Sequence, residues 1–93
     1  MIKTFKCKET EKIWNEKFSK KIPADIQIRA LSKLSMINNY KNLSDFKIPP
    51  KNCFEVLKGD RQGQYSIRIN NQWRICFRWL DNNAFDVEIV DYH

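Results

Sequence analysis

The sequence predicts an α+β fold: two N-terminal helices packed on an antiparallel sheet of about four to five strands. Three observations predict it. Apolar residues recur at helical spacing through residue 38. They alternate with a period of two from residue 53 onward. Short polar, turn-forming stretches separate the alternating runs. The chain has 93 residues, which sets one domain as the expectation, because domains of roughly 100 residues build one core. With only two glycines and three prolines, it lacks the composition of a linker or a disordered segment.

Residues 2–7, Ile-Lys-Thr-Phe-Lys-Cys, read as a short first strand. The period then changes. Thr10 is placed to cap a helix reaching about Lys20, with Ile13, Trp14 and Phe18 on its apolar side. A second helix is expected from Ala24 to Asn38. There Ile26, Ala30, Leu34 and Ile37 form a stripe that Leu31 widens, and Pro23 suits the first turn. From Tyr40 to Asn52 the pattern is irregular and includes Pro49-Pro50. Leu43, Phe46 and Ile48 should pin this connection to the core.

The second half reads as a meander of strands at Cys53–Lys58, Gln64–Asn70, Gln72–Leu80 and Ala84–Val90. The turns are Gly59-Asp60-Arg61-Gln62-Gly63, Asn70-Asn71 and Asp81-Asn82-Asn83. Because successive strand residues point to opposite faces, Tyr65, Ile67, Ile69, Trp73, Ile75, Phe77 and Trp79 should face the helices. Phe85, Val87 and Ile89 continue that set. The other face carries Ser66, Arg68, Asn70, Arg74, Cys76, Arg78, Asp86 and Glu88, and is expected to be too polar to form a core.

No apolar run approaches the roughly 20 residues of a membrane span. Met1–Lys6 lacks the apolar stretch of a signal peptide, so a soluble cytoplasmic protein with no membrane partner is expected. Cys7, Cys53 and Cys76 are odd in number and widely spaced, and the single histidine is His93. A zinc site wants ligands paired closely in sequence, so neither a metal nor another cofactor is expected, and Cys76 reads as a reduced packing residue.

The formal net charge is +6 and the pI is near 9.4, which points to an acidic partner; nucleic acid is the commonest for a small basic domain. All twelve lysines lie at or before Lys58, whereas four of the five arginines lie between Arg61 and Arg78. Lysine is a hydrated point charge, but arginine offers a planar fork that matches phosphate oxygens. The arginine-bearing half is therefore where chemistry is expected.

Arg68, Arg74 and Arg78 on one sheet face form a surface able to hold phosphates and to stabilise charge developing at a phosphoryl centre. Alternatively, Arg74 and Arg78 pair with Asp86 and Glu88 and only brace the sheet. Lys58 and Arg61, at a strand end and in the following loop, add two cations where a nucleic-acid strand could approach. RNA cleavage by transesterification requires a base for the 2′-hydroxyl, a cation for the phosphorane and an acid for the leaving oxygen. Glu55 is a candidate base, Arg74 the cation and His93 the acid. The structural alternatives are an exposed strand glutamate and a surface histidine.

Several segments together resemble a known family: Leu57-Lys58-Gly59-Asp60-Arg61, then Gly63, Tyr65-Ser66-Ile67, Trp73-Arg74-Ile75-Cys76-Phe77, and the terminal Asp91-Tyr92-His93. They are similar to the HigB, or plasmid-maintenance killer, branch of the RelE toxin superfamily, and the likeness runs over nearly the whole chain. The resemblance implies two helices on an antiparallel sheet and a ribosome-dependent mRNA endonuclease that uses no metal. It further implies neutralisation by a HigA-type helix-turn-helix antitoxin, with the ribosome and mRNA as the other partners. Lys58, Arg74, Tyr92 and His93 match its catalytic or substrate-gripping positions, and Arg68 matches a second arginine across a hairpin of variable length. Members commonly carry histidine three residues before the lysine of Leu-Lys-Gly; here that residue is Glu55. Two alternatives stay open: a toxin of the same fold that inhibits a protein such as DNA gyrase, and an RNA-binding module without activity.

Overall fold

The computed structural model describes residues Met1–Tyr92, and His93 lies outside them. Helix α1 spans Lys8–Trp14 and helix α2 spans Ala24–Asn39. The four strands are β1 (Glu55–Val56), β2 (Tyr65–Arg68), β3 (Trp73–Leu80) and β4 (Asn83–Asp91). They form one antiparallel sheet in the order β1-β2-β3-β4. This is the expected meander with the expected two helices.

The N-terminal segment differs from the strand expected over residues 2–7. It makes two isolated parallel bridges to β4, Ile2 with Ala84 and Phe5 with Val87. Hydrogen bonds from Lys3 N to Ala84 O (2.8 Å) and from Val87 N to Thr4 O (3.1 Å) cover the outer edge of β4, an edge that would otherwise present unpaired backbone groups.

Helix α1 is shorter than expected, and Cys7, not Thr10, occupies the N-cap position. Thr10 sits inside the first turns, fully buried, where its hydroxyl accepts the Ile89 N–H at 3.0 Å and ties the helix to β4. The helix stops at Trp14, and Glu16 takes a left-handed φ of 60°. Gln27 Nε2 then holds the connection by donating to the carbonyls of Ser19 and Ile22. Phe18 consequently leaves the apolar side expected for it and is exposed.

In α2 the stripe is as predicted: Ile26, Ala30, Leu34 and Ile37 are all buried. Pro23 is the N-cap residue, one position before the first turn. After Tyr40 the chain forms two 3₁₀ turns, Leu43–Lys47 and Pro50–Asn52. Three residues per turn put Leu43 and Phe46 on one side. Ile48 falls off that side and is exposed, against expectation. Phe46 is fully buried, with ring centroids 4.9 Å from Tyr40, 5.3 Å from Phe77 and 5.5 Å from Trp79. This cluster anchors the connection that leads into β1.

The core lies between the helices and the face bearing Ile67, Ile75 and Phe77. A β-bulge interrupts the β3–β4 register: Cys76 pairs with Glu88, but Arg78 pairs with Phe85. Asp86 takes a φ of 53° there, an extra residue that resets the alternation. Ala84 and Val87 therefore both point inward, fully buried, and Phe85 shares the face of Arg78 rather than that of Val87 and Ile89. The polar face also differs from expectation, because its centre is closed: Ser66 and Cys76 have no exposed surface and Arg74 has 8%.

Candidate active site

Across the polar face, strand pairing aligns one row of side chains: Glu55 opposite Ser66, Ser66 opposite Cys76, and Cys76 opposite Glu88. A carboxylate stands at each end, and an arginine reaches each one. Arg61 Nη1 lies 3.3 Å from Glu88 Oε1 and bonds Gln64 Oε1 at 3.2 Å. Arg74 Nη2 lies 3.5 Å from Glu55 Oε1. Cys76 sits beneath these charges, and burial raises its thiol above the ordinary cysteine range.

Arg74 is held by two hydrogen bonds and a ring contact besides its ion pair. Its Nε donates to Ser66 Oγ at 2.9 Å, its Nη2 donates to the Cys53 carbonyl, and its guanidinium carbon lies 5.5 Å from the centre of the Tyr92 ring, within cation–π range. The Cys53 carbonyl is itself placed by a left-handed turn, with φ 45° and ψ 51°. The preceding residue, Asn52, is fully buried. It donates to Phe46 O at 3.2 Å and accepts from Lys33 Nζ at 2.6 Å. A line of contacts thus runs from α2 through Asn52 and Cys53 to Arg74.

The predicted residues divide into two groups. Arg74, Glu55 and Tyr92 come together, with Glu55 half exposed and open to a ligand. Lys58 is exposed where β1 gives way to the turn Gly59–Arg61, and no contact joins it to Arg74 among the described residues. Arg61 is engaged with Glu88. Arg78 pairs with Asp86 at 3.5 Å, the bracing alternative, and packs against Gly63, where a Cβ would come within 2.9 Å of its Nη1. Arg74 pairs with neither Asp86 nor Glu88. His93, the candidate acid, lies outside the described residues.

Arg68 stands opposite Arg74 in the β2–β3 register and bonds Asn71. It also lines a groove of about 500 Å³ with Arg29, Ser32, Lys33, Lys51, Ile69 and Asn70. Among the described residues, four cations and no acid line this groove. Burial, and then the neighbouring Arg29, pushes the Lys33 ammonium below the ordinary lysine range. The sequence reading missed Arg29, Lys33 and Lys51, although Arg29 and Lys33 share a helix face by their i,i+4 spacing. It also missed Asn52 and the roles of Ser66 and Cys53, which depend on contacts distant in sequence. Among the described residues no group of three or more histidine, cysteine, aspartate or glutamate side chains forms a metal site, and no helix is long and apolar enough to cross a membrane.

Comparison with known proteins places the chain in a family. The model for the RelE-like toxin HigB of type II toxin–antitoxin systems matches residues 3–93. The chain belongs to the HigB-like toxin family. It is 37% identical to Toxin HigB-1 of Vibrio cholerae over 92% of both chains. It is 30% identical to Endoribonuclease HigB of Proteus vulgaris over the full length of both. Among solved structures, the YoeB–YefM toxin–antitoxin complex from Staphylococcus aureus contains a chain that superposes with a TM-score of 0.57 at 21% identity. That match covers 100% of this chain and 95% of that one, and shows that this HigB-like toxin shares its fold.

Proposed function

We propose that this HigB-like toxin is an endoribonuclease that cuts mRNA during translation on the ribosome, without a metal, and that a HigA-type helix-turn-helix antitoxin restrains it. The observation that carries the reading is Arg74: a largely buried cation, held by two hydrogen bonds along one edge, with the Glu55 carboxylate and the Tyr92 ring against it. The name of the Proteus vulgaris relative, which covers the whole chain, supports the activity.

The chemistry follows from the groups present. Glu55 takes the proton of the 2′-hydroxyl, and the resulting oxygen forms a bond to phosphorus. Arg74 stabilises the charge gathered on the non-bridging oxygens. The bond from phosphorus to the 5′-oxygen breaks, and that oxygen receives a proton from an acid for which His93 and Tyr92 are the candidates. The products are a 2′,3′-cyclic phosphate and a 5′-hydroxyl. Lys58 makes no contact with Arg74 among the described residues and serves as a substrate grip. Arg68 and its groove of cations supply a track for phosphates outside the cleavage point.

Inducing the protein and mapping mRNA ends tests this reading. Ends clustered within translated frames are expected. Intact mRNA accompanied by supercoiling defects would overturn it in favour of a gyrase inhibitor, and slowed translation with intact mRNA would favour an RNA-binding module.

A further inference from the structure

We propose that Ser66 is a positioning residue for Arg74, fixing which edge of the guanidinium meets the scissile phosphate. The inference rests on the active-site reading above and adds a residue to it.

A guanidinium is planar and presents its hydrogens along separate edges. One edge carries Nε–H and one hydrogen of Nη2. In this protein that edge is fully occupied: Ser66 Oγ accepts from Nε at 2.9 Å and the Cys53 carbonyl accepts from Nη2. Two acceptors on one edge set both the plane of the group and its rotation. The terminal fork, Nη1 with the second Nη2 hydrogen, is the edge that these two acceptors leave over, and Glu55 Oε1 lies 3.5 Å from Nη2. Among the described residues no hydrogen bond holds Nη1. That fork is the pair of donors suited to two phosphate oxygens.

Ser66 is placed for this by the sheet. It lies in β2 between Glu55 and Cys76 in the cross-strand row, and has no exposed surface. Arg74 reaches over it from β3 toward Glu55 in β1. A buried strand position on this face would be filled as well by alanine if packing alone decided it. The hydroxyl has a specific partner instead, and that partner is the nitrogen nearest the pivot of the fork.

Misplacing a reacting group by about 1 Å costs up to about a hundredfold in rate. Ser66→Ala removes one oxygen and should lower kcat on ribosome-bound mRNA by about tenfold to a hundredfold, with KM within about twofold. Arg74→Lys has no Nε, so adding Ser66→Ala to Arg74→Lys should change kcat by less than about twofold. If Arg74→Lys falls below detection, the readout becomes the Arg74 Nε–H resonance, whose slow solvent exchange should be lost in Ser66→Ala. Parental kcat in Ser66→Ala with an impaired Arg74→Lys overturns the positioning role alone. So does an equal loss from Ser66→Ala in both backgrounds, or a lost kcat with unchanged Nε–H exchange. Parental rates in both single variants overturn the active-site reading itself.

Discussion

Arg74 and Glu55 form an ion pair at 3.5 Å across a strand that belongs to neither: Arg74 is in β3, Glu55 is in β1, and β2 runs between them. The carboxylate is half exposed, so the pair contributes little to stability, about 0–1 kcal/mol. Its value lies in where it holds the two groups. Glu55→Gln should therefore leave the fold intact and remove most of the activity, together with the rise in rate on the acid side of the pH profile. An imidazole titrates about two units above a carboxyl, so Glu55→His should restore activity with that rise moved to higher pH. A pH–rate series on the three proteins checks this. A Glu55→Gln protein with parental rate and profile would assign the proton transfer to another group.

Asn52 carries the position of the Cys53 carbonyl, and Asn52→Ala leaves Phe46 O and the Lys33 ammonium without their partner. The expected loss is about 1–3 kcal/mol of stability, read by urea unfolding, together with a fall in kcat as the carbonyl under Arg74 loosens. A less stable protein with unchanged kcat would separate this turn from the chemistry.

The four-cation groove makes a prediction about salt. For single-stranded RNA, each phosphate contact adds about 0.7 to the slope of log affinity against log salt concentration. Lys51→Ala should reduce that slope by about 0.7, with kcat on bound substrate unchanged. An unaltered slope would remove Lys51 from the RNA track.

Two of the three cysteines, Cys53 and Cys76, should differ in reactivity. Cys53 is exposed, Cys76 has no exposed surface, and burial raises the thiol of Cys76. Thiolate is the reactive form, so timed alkylation with mass spectrometry should label Cys53 early and Cys76 only as the protein unfolds. Equal labelling of the two in the native protein would mean that the polar face opens.

Where the hydrophobic pattern was periodic, the sequence was sufficient: the stripe Ile26, Ala30, Leu34, Ile37 and the strand Ile75, Phe77 appear where the spacing placed them. It failed where one residue changes the phase. The left-handed Glu16 ends α1 early, and the bulge at Asp86 turns Phe85 to the other face; neither departure has a glycine to mark it. The site was legible in its charged members, Arg74 and Glu55, because the fork and the carboxylate announce themselves by type. Ser66, Asn52 and the Cys53 carbonyl were not, since their partners lie 8, 6 to 19 and 21 residues away. The burial of Arg74 likewise depends on the whole face closing over it. Removing it therefore affects stability as well as chemistry.

The cleavage rate of Arg74 variants on ribosome-bound mRNA, measured beside their thermal unfolding, tests the central claim most directly. Arg74→Ala strands the Ser66 hydroxyl and the Cys53 carbonyl, so about 1–3 kcal/mol of stability should go with it; Arg74→Lys keeps the charge and much of the volume. With both proteins folded at the assay temperature, Arg74→Ala should give no detectable cleavage and no growth arrest. Arg74→Lys should fall by about a hundredfold or more, because a point charge cannot replace the fork. A folded Arg74→Ala protein that cuts mRNA at the parental rate would contradict the account.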